Sequence, residues 1–233
     1  MEAVCKRGAL ELISSGRYIL SGLGYRKKLA EDIARKLDLG PEDRLFDLGC
    51  NVGIYHSHLY KKVGWLTGVD AGPSIVERAK RTNRFANTEY LCFDILAEWP
   101  ELKLTYSKVL IYSVIHFFET SDQVDQLIKR ISKHLDPNGQ IMFGEVRTKQ
   151  KYEKFRDELP SRKIPTFRDL KFKFNKWFNR LYLGEPKGHA AKSYEASELK
   201  GIADTNGFDL VELDQQSFHP FYNTCSDFIL SRK

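Results

Sequence analysis

The sequence predicts an α/β protein built on a seven-stranded, mostly parallel sheet with helices on both faces. Short apolar runs alternate with segments in which apolar residues recur every three or four positions, the pattern of strands alternating with helices. The last two apolar runs are too close together for a helical crossover, so we expect them to pair as an antiparallel hairpin. The length of 233 residues fits one domain with elaborations.

Apolar spacing and turn residues place the individual elements. Residues 1–40 are interpreted as an N-terminal helical cap, and residues 136–139, Asp-Pro-Asn-Gly, as a turn before the fifth strand. Strands are predicted at 44–48, 65–70, 89–93, 106–113, 140–146, 208–217 and 222–230, and helices at 28–39, 55–63, 73–83, 122–135 and 193–206.

The composition argues against several classes of protein. The chain does not begin with an apolar signal region, and its longest strongly apolar run, 109–118, is about half the ~20 residues needed to span a bilayer. The four cysteines are scattered without a Cys-x-x-Cys pair. We therefore expect a cytoplasmic protein with no membrane span, no disulfide framework and no metal site.

The positive charge is concentrated in one segment. The net charge is +6, and residues 147–192 hold 14 basic against 5 acidic residues, so the rest of the chain is slightly acidic. This basic insert also carries apolar residues at helical spacing, which predicts a basic amphipathic lid helix after the fifth strand. The apolar stripe consists of Phe167, Leu170, Phe174, Trp177 or Phe178, and Leu181.

Several interpretations of the basic insert remain open. The helix could be a lid that packs on the domain with its lysines in water. It could cap an acceptor pocket, with Arg168, Lys187, His189 or Lys192 binding a phosphate, phosphonate or carboxylate. An RNA-binding face and association with a membrane surface are further alternatives.

The strongest motif follows the first predicted strand. Gly49 and Gly53 in Asp-Leu-Gly-Cys-Asn-Val-Gly allow a tight turn and a close backbone approach to a ligand. The second strand ends at Asp70, an acid that can accept hydrogen bonds from both hydroxyls of a ribose. The nicotinamide fingerprint Gly-x-Gly-x-x-Gly does not match this spacing.

This motif resembles the first motif of the class I S-adenosylmethionine-dependent methyltransferases, usually Asp-x-Gly-x-Gly-x-Gly. Asn51 takes the place of the middle glycine, and asparagine tolerates positive φ well. The segments GVDAG, CFDI, VLIYSVIHFF and HLDPNGQIMFGEV resemble the family's later motifs. The matches follow in order over about 25–146 and 193–233.

The resemblance implies S-adenosylmethionine as cofactor and a role for each matched position. Asp70 would hold the ribose, with Ala71 beside it, while Asp94 and Ile95 would frame the adenine. Asp47 would either contact the cofactor or organise the loop by hydrogen bonds. The methionine part and the sulfonium would lie near Gly49, Cys50, Asn51, Gly53, Tyr112 and Ser113.

The N-terminal segment offers further candidates. In many relatives an aromatic residue there closes over the cofactor, and a nearby arginine meets its carboxylate. Tyr18 and Arg26 fit these roles, Tyr18 also as a catalytic residue, and Tyr25 could contact the acceptor. Ordinary helix packing is the alternative for all three residues.

Methyl transfer needs little covalent chemistry from the protein. The methyl sulfonium is already electrophilic, so alignment and exclusion of water matter most, and a base is needed only if the acceptor loses a proton. His116, just after the fourth strand, is the predicted base or acceptor contact. Packing at the start of the next helix is its alternative role.

The sequence thus predicts a methyltransferase acting on a small, possibly anionic metabolite, at oxygen rather than nitrogen. No Asn-Pro-Pro-Tyr string, typical of many base and glutamine-amide N-methyltransferases, follows the fourth strand. An RNA methyltransferase and a non-catalytic, cofactor-binding partner subunit are the alternatives. Nucleic acid is the less favoured partner because the chain outside the basic insert is slightly acidic. The oligomeric state is left open.

Overall fold

The computed structural model describes residues 22–158, 192–219 and 221–233. Four predicted site residues, Tyr18, Arg168, Lys187 and His189, lie outside the described residues, as does the apolar stripe of the basic insert.

Seven strands form one sheet in the order β3-β2-β1-β4-β5-β7-β6. Strands β1 to β5 run parallel to one another, whereas β7 is antiparallel to both β5 and β6. The predicted fold class and C-terminal hairpin are therefore confirmed. The strands are β1 Arg44–Leu48, β2 Trp65–Asp70, β3 Thr88–Cys92, β4 Tyr106–Tyr112, β5 Leu135–Arg147, β6 Phe208–Asp214 and β7 Cys225–Arg232.

Helices cover both faces of the sheet. In the described residues they are α1 Gly22–Lys36, α2 His56–Leu59, α3 Pro73–Thr82, α4 Ser121–Ser132, α5 Lys149–Glu158 and α6 Ala196–Thr205. None of these helices is long and apolar enough to cross a membrane.

Several predicted boundaries differ from the structure by a few residues, and two of these differences have identifiable reasons. Helix α1 ends before Gly40 because Asp38 adopts a left-handed conformation with φ of 49°. Residues 136–139 form a bulge inside β5 rather than a turn before it. Tyr106 of β4 pairs with Leu135, whereas Lys108 pairs with Gln140, so residues 136–139 of β5 stand opposite a single residue of β4.

The core consists of two apolar layers, one on each face of the sheet. Neighbouring strand residues point to opposite layers, as Leu45 and Phe46 do in β1. Burial on both faces is usual for parallel strands and explains their continuous apolar runs. One layer is completed by Val124, Leu127, Ile128 and Ile131 of α4 with Leu199 and Ala203 of α6, the other by Leu29, Ala30 and Ile33 of α1 with Leu37 just beyond its end.

Candidate active site

The loop after β1 requires the residues that the motif supplies. Gly49, Asn51 and Gly53 have φ of 82°, 53° and 69°. A Cβ on Gly49 would lie 2.5 Å from a methyl carbon of Val114, after β4, and one on Gly53 would lie 2.7 Å from the Tyr90 hydroxyl. The loop therefore lies against both β4 and β3, with no space for side chains at the two glycines.

Asp70, at the end of β2, is oriented by this loop. Its Oδ2 accepts the backbone N–H of Asn51 at 3.1 Å, and its Oδ1 accepts that of Gly72 at 3.0 Å. Burial raises the pKa of Asp70, and the backbone donors act in the opposite direction. The glycine loop and the acid thus form one unit at the sheet edge, where open α/β sheets bind ligands.

Asp94 and Ile95 follow β3 at the same edge of the sheet. The Asp94 side chain is exposed, and its Oδ1 accepts the Leu96 backbone N–H at 2.8 Å. Ile95 is buried and belongs to the apolar core. Ala71 is exposed directly after Asp70. The ends of β1, β2 and β3 therefore carry the predicted loop and two carboxylates.

A buried series of hydrogen bonds lies beneath the loop, and no local sequence motif predicts it. Asp47 Oδ2 is 2.8 Å from His56 Nε2, and His56 Nδ1 is 2.6 Å from the Tyr90 hydroxyl. All three side chains are buried, and burial raises the pKa of Tyr90. In this geometry Asp47 organises the loop through His56.

Cys50 is also buried in this loop. Burial, followed by the negative charges of Asp47 and Asp70, raises the pKa of its thiol. A thiol held neutral in this way is a poor nucleophile, so Cys50 contributes shape and packing rather than covalent chemistry.

A second polar cluster occupies the ends of β4 and β5. The Tyr112 hydroxyl lies 2.9 Å from His219 Nε2, and the same nitrogen lies 3.4 Å from Glu145 Oε2. Ser113 Oγ donates to Glu145 Oε1 at 3.3 Å. Tyr112 and Ser113 were predicted site residues, whereas Glu145 and His219 were missed because no local motif marks them. We call Tyr112, Ser113, Glu145 and His219 the strand-end cluster.

Tyr25 of α1 covers this cluster, whereas Arg26 is exposed on the same helix. The Tyr25 ring lies 5.9 Å from the His219 ring and 6.1 Å from the Phe218 ring. Tyr25 is therefore buried against the ring of His219, and its contact with the acceptor stays a prediction.

His116 and Lys192 lie next to each other. The backbone carbonyl of His116 accepts the Lys192 N–H at 2.9 Å, and the Lys192 ammonium donates to Ser121 Oγ at 2.7 Å. His116 is partly buried, with its ring 4.1 Å from that of Phe117, which is 68% exposed. The predicted base thus lies just beyond β4, beside one end of the basic insert.

Comparison with known proteins identifies the family. The family described as "Methyltransferase domain" (Methyltransf_23) matches residues 23–213, most of the chain. The chain belongs to this methyltransferase family. With the glycine loop and Asp70 in place, the predicted membership of the S-adenosylmethionine-dependent, class I group is confirmed.

Individual relatives are distant. Phosphoethanolamine N-methyltransferase 1 of Triticum aestivum is 28% identical over 43% of this chain and 21% of its own length. Malonyl-[acyl-carrier protein] O-methyltransferase of Acetivibrio thermocellus is 26% identical over 51% of this chain and 42% of its own. The match thus spans less than half of either curated relative.

A solved structure supports the fold over more of the chain. The N-methyltransferase NodS of Bradyrhizobium japonicum, in complex with S-adenosylhomocysteine, aligns with a TM-score of 0.57 and 18% identity. The alignment covers 91% of this chain and 88% of NodS. At this identity the similarity concerns the architecture alone.

Proposed function

We propose that this methyltransferase binds S-adenosylmethionine at the ends of β1 to β3 and methylates a small metabolite. The arrangement of Asp70 carries the proposal, because the Asn51 amide of the glycine loop points its carboxylate to the sheet edge. Asp70 would hold the ribose, and the exposed Asp94 would meet the adenine amino group. The glycine-lined loop would accommodate the methionine part.

When bound, S-adenosylmethionine supplies an electrophilic methyl group on its sulfonium. The residues of this chain then have to hold the acceptor in line with that methyl and keep water away. The strand-end cluster is suited to this task because it is buried, aromatic and polar at once. The cluster lies beside Val114, which contacts Gly49 of the glycine loop.

The acceptor is proposed to be a small, anionic metabolite methylated at oxygen. Its anionic group would bind the basic insert, where Arg168, Lys187, His189 and Lys192 are the proposed contacts. Methylation at nitrogen is the second candidate, favoured by the names of two relatives, the phosphoethanolamine N-methyltransferase and NodS. We place the reaction in the cytoplasm, with surface association of the insert as a further proposal.

Calorimetry with S-adenosylhomocysteine tests the cofactor site. Asp70→Ala should weaken binding by about 10- to 100-fold, because hydrogen bonds to a charged group contribute about 1.5–3 kcal/mol. Asp209→Ala, which removes an exposed acid from β6, serves as the matched control and should bind normally. Equal affinity of the two variants would contradict the assignment.

The same titration has an expected pH dependence. The ribose hydroxyls need the ionised Asp70, and the pKa of this carboxyl is raised by burial. Affinity should therefore be full above that pKa and fall as the pH drops through it, at higher pH than for an ordinary aspartate. Asp70→Asn should remove this dependence, and an unchanged profile in that variant would argue against the role of Asp70.

Label transfer identifies the class of acceptor. Methyl-labelled S-adenosylmethionine is incubated with the chain and either phosphoethanolamine, a small-molecule cell extract or total cellular RNA. We expect label in small molecules and none in RNA. Strong labelling of RNA would replace the small-metabolite proposal with the RNA alternative.

A further inference from the structure

We propose that the Glu145 carboxylate, positioned by His219 and Ser113, is the proton acceptor for methyl transfer. The inference rests on the proposed function, since it assigns a role within the same reaction. It also differs from the sequence-based expectation, which gave that role to His116.

The position of Glu145 is the first argument. Ser113 lies just beyond β4, next to Glu145 of the adjacent strand β5. Its backbone N–H donates to the carbonyl of Gly144, the residue before Glu145, at 2.8 Å. Ser113 directly precedes Val114, which contacts Gly49 of the cofactor loop. The carboxylate therefore lies at the edge of the sheet where open α/β sheets bind ligands, and Ser113 links it to the contact between Val114 and the loop.

The backbone is the second argument. Ser113 and Glu145 have φ of 61° and 56°, the left-handed region that non-glycine residues rarely adopt. Two such residues next to each other carry a conformational cost that persists only where surrounding contacts impose it. Here the strain turns the serine hydroxyl and the carboxylate toward each other. Strain of this kind is concentrated at functional sites.

The hydrogen bonds define the state of the imidazole. The Phe221 backbone N–H donates to His219 Nδ1 at 3.3 Å, so the neutral ring carries its proton on Nε2. That N–H is directed at the Tyr112 oxygen, 2.9 Å away, and at Glu145 Oε2, 3.4 Å away. His219 is thus a donor that positions and stabilises the carboxylate.

Several charged and ionisable groups surround the pair. The Glu145 backbone N–H donates to Asp227 Oδ1 at 2.8 Å, and Asp227 in turn binds the buried ammonium of Lys36. Burial, followed by the charge of Glu145, raises the pKa of Cys225 to about 12. Tyr25 from α1, Tyr112 from β4, and Cys225 and Asp227 from β7 surround the pair. Lys36 and Asp32 of α1 are linked to it through Asp227, and Arg147 of β5 acts on Cys225.

The proton balance of the step is simple. An electron pair of the acceptor oxygen or nitrogen forms the bond to the methyl carbon, and the carbon–sulfur bond breaks with its pair remaining on sulfur. The acceptor's O–H or N–H bond breaks, its electron pair stays on the acceptor atom, and the proton passes to a Glu145 carboxylate oxygen. The neutral carboxylic acid then loses this proton to water. No oxidant, reductant or metal is needed.

Two variants test the carboxylate, so that the test still works if one of them does not fold. E145Q keeps the shape of the side chain, and E145G removes the carboxylate while relieving the strain at φ of 56°, which offsets part of the cost of the lost side-chain contacts. With the acceptor found by label transfer, both should lose roughly 100-fold or more in kcat. Both should also lose the acid limb of the pH profile, and S-adenosylhomocysteine affinity should stay within twofold. Formate should restore part of the rate of E145G.

A readout without acceptor complements the kinetics. In the ¹⁵N-histidine-labelled full chain, the ring nitrogen shifts report the hydrogen bonds of His219, assigned by the loss of that signal in H219Q. The E145Q variant should change the shift of His219 Nε2, because this nitrogen lies 3.4 Å from Glu145 Oε2. The matched control D209N should leave this shift unchanged.

Four outcomes would overturn the proposal. They are an acid limb that remains in both Glu145 variants, an acid limb lost in H116A but kept in E145Q, a His219 Nε2 shift that E145Q does not change, and a loss of S-adenosylhomocysteine binding in E145Q and E145G. Failure of the wild-type chain to bind S-adenosylhomocysteine would instead refute the proposed function, so the two failures are distinguishable.

Discussion

The two halves of the sheet edge hold their carboxylates in different ways. At the ends of β1 to β3, Asp70 is bonded by backbone N–H groups, and Asp47 is bonded by a histidine nine residues away. At the ends of β4, β5 and β7, Glu145 and Asp227 are bonded by side chains from distant parts of the chain. Lys36 and Asp227, for example, are 191 residues apart.

One half of the edge is thus a local site, built from residues close together in sequence, and the other is a composite site, built from residues far apart in sequence. The half that we assign to the cofactor is assembled within one motif and its following strands, so its geometry depends mainly on backbone conformation. The half that we assign to the acceptor depends on the docking of α1 and of the C-terminal hairpin. Variants in the two halves should consequently fail in different ways.

The largest effect is expected in the composite half. Lys36→Met should lower the free energy of unfolding by about 3–5 kcal/mol, because it leaves Asp32 and Asp227 buried without their shared cation. Urea denaturation measures this loss. Lys129→Met, which breaks an exposed pair on α4, is the control and should leave the midpoint nearly unchanged. Similar midpoints for both variants would show that the buried network contributes little.

An intermediate loss of stability is expected where the two halves touch, at the contact between Gly49 and Val114. Gly49→Ala should cost about 1–3 kcal/mol, because alanine is strained at φ of 82° and its Cβ would overlap Val114. Adding Val114→Ala should recover the steric part of the loss but not the backbone part. Thermal unfolding of the single and double variants measures the coupling, and strict additivity would mean that the two halves are independent here.

The smallest effect is expected in the local half, with the opposite sign. Asn51→Gly should raise stability by up to about 1 kcal/mol, because glycine adopts φ of 53° without the cost of a Cβ. Loss of the bond from Val52 N–H to Asn51 Oδ1 works against this gain. S-adenosylhomocysteine affinity should be unchanged, since the Asn51 backbone N–H that orients Asp70 remains. A lower melting temperature would show that the side chain matters more than the backbone.

The same contrast explains what the sequence could predict. The fold class and the glycine loop follow from local patterns of apolar residues and glycines, and the positive φ at Asn51 fits its place in the family's glycine motif. Asp47 was identified, but its partners His56 and Tyr90 were not, because the second contact spans 34 residues. Tyr112 was likewise identified without His219, which lies 107 residues further along. Ordinary histidine and glutamate positions carry no signal of such pairings.

The place of β7 in the sheet sets an order of assembly. Among the described strands it comes last along the chain, yet it lies between β5 and β6. During synthesis the cofactor loop and the first five parallel strands emerge before the strand that completes the edge of β5. Until β7 docks, β5 presents an open row of backbone groups that can pair with another chain. Incorrect pairing at this edge is therefore expected after the first five strands have emerged and before β7 docks, rather than earlier in synthesis.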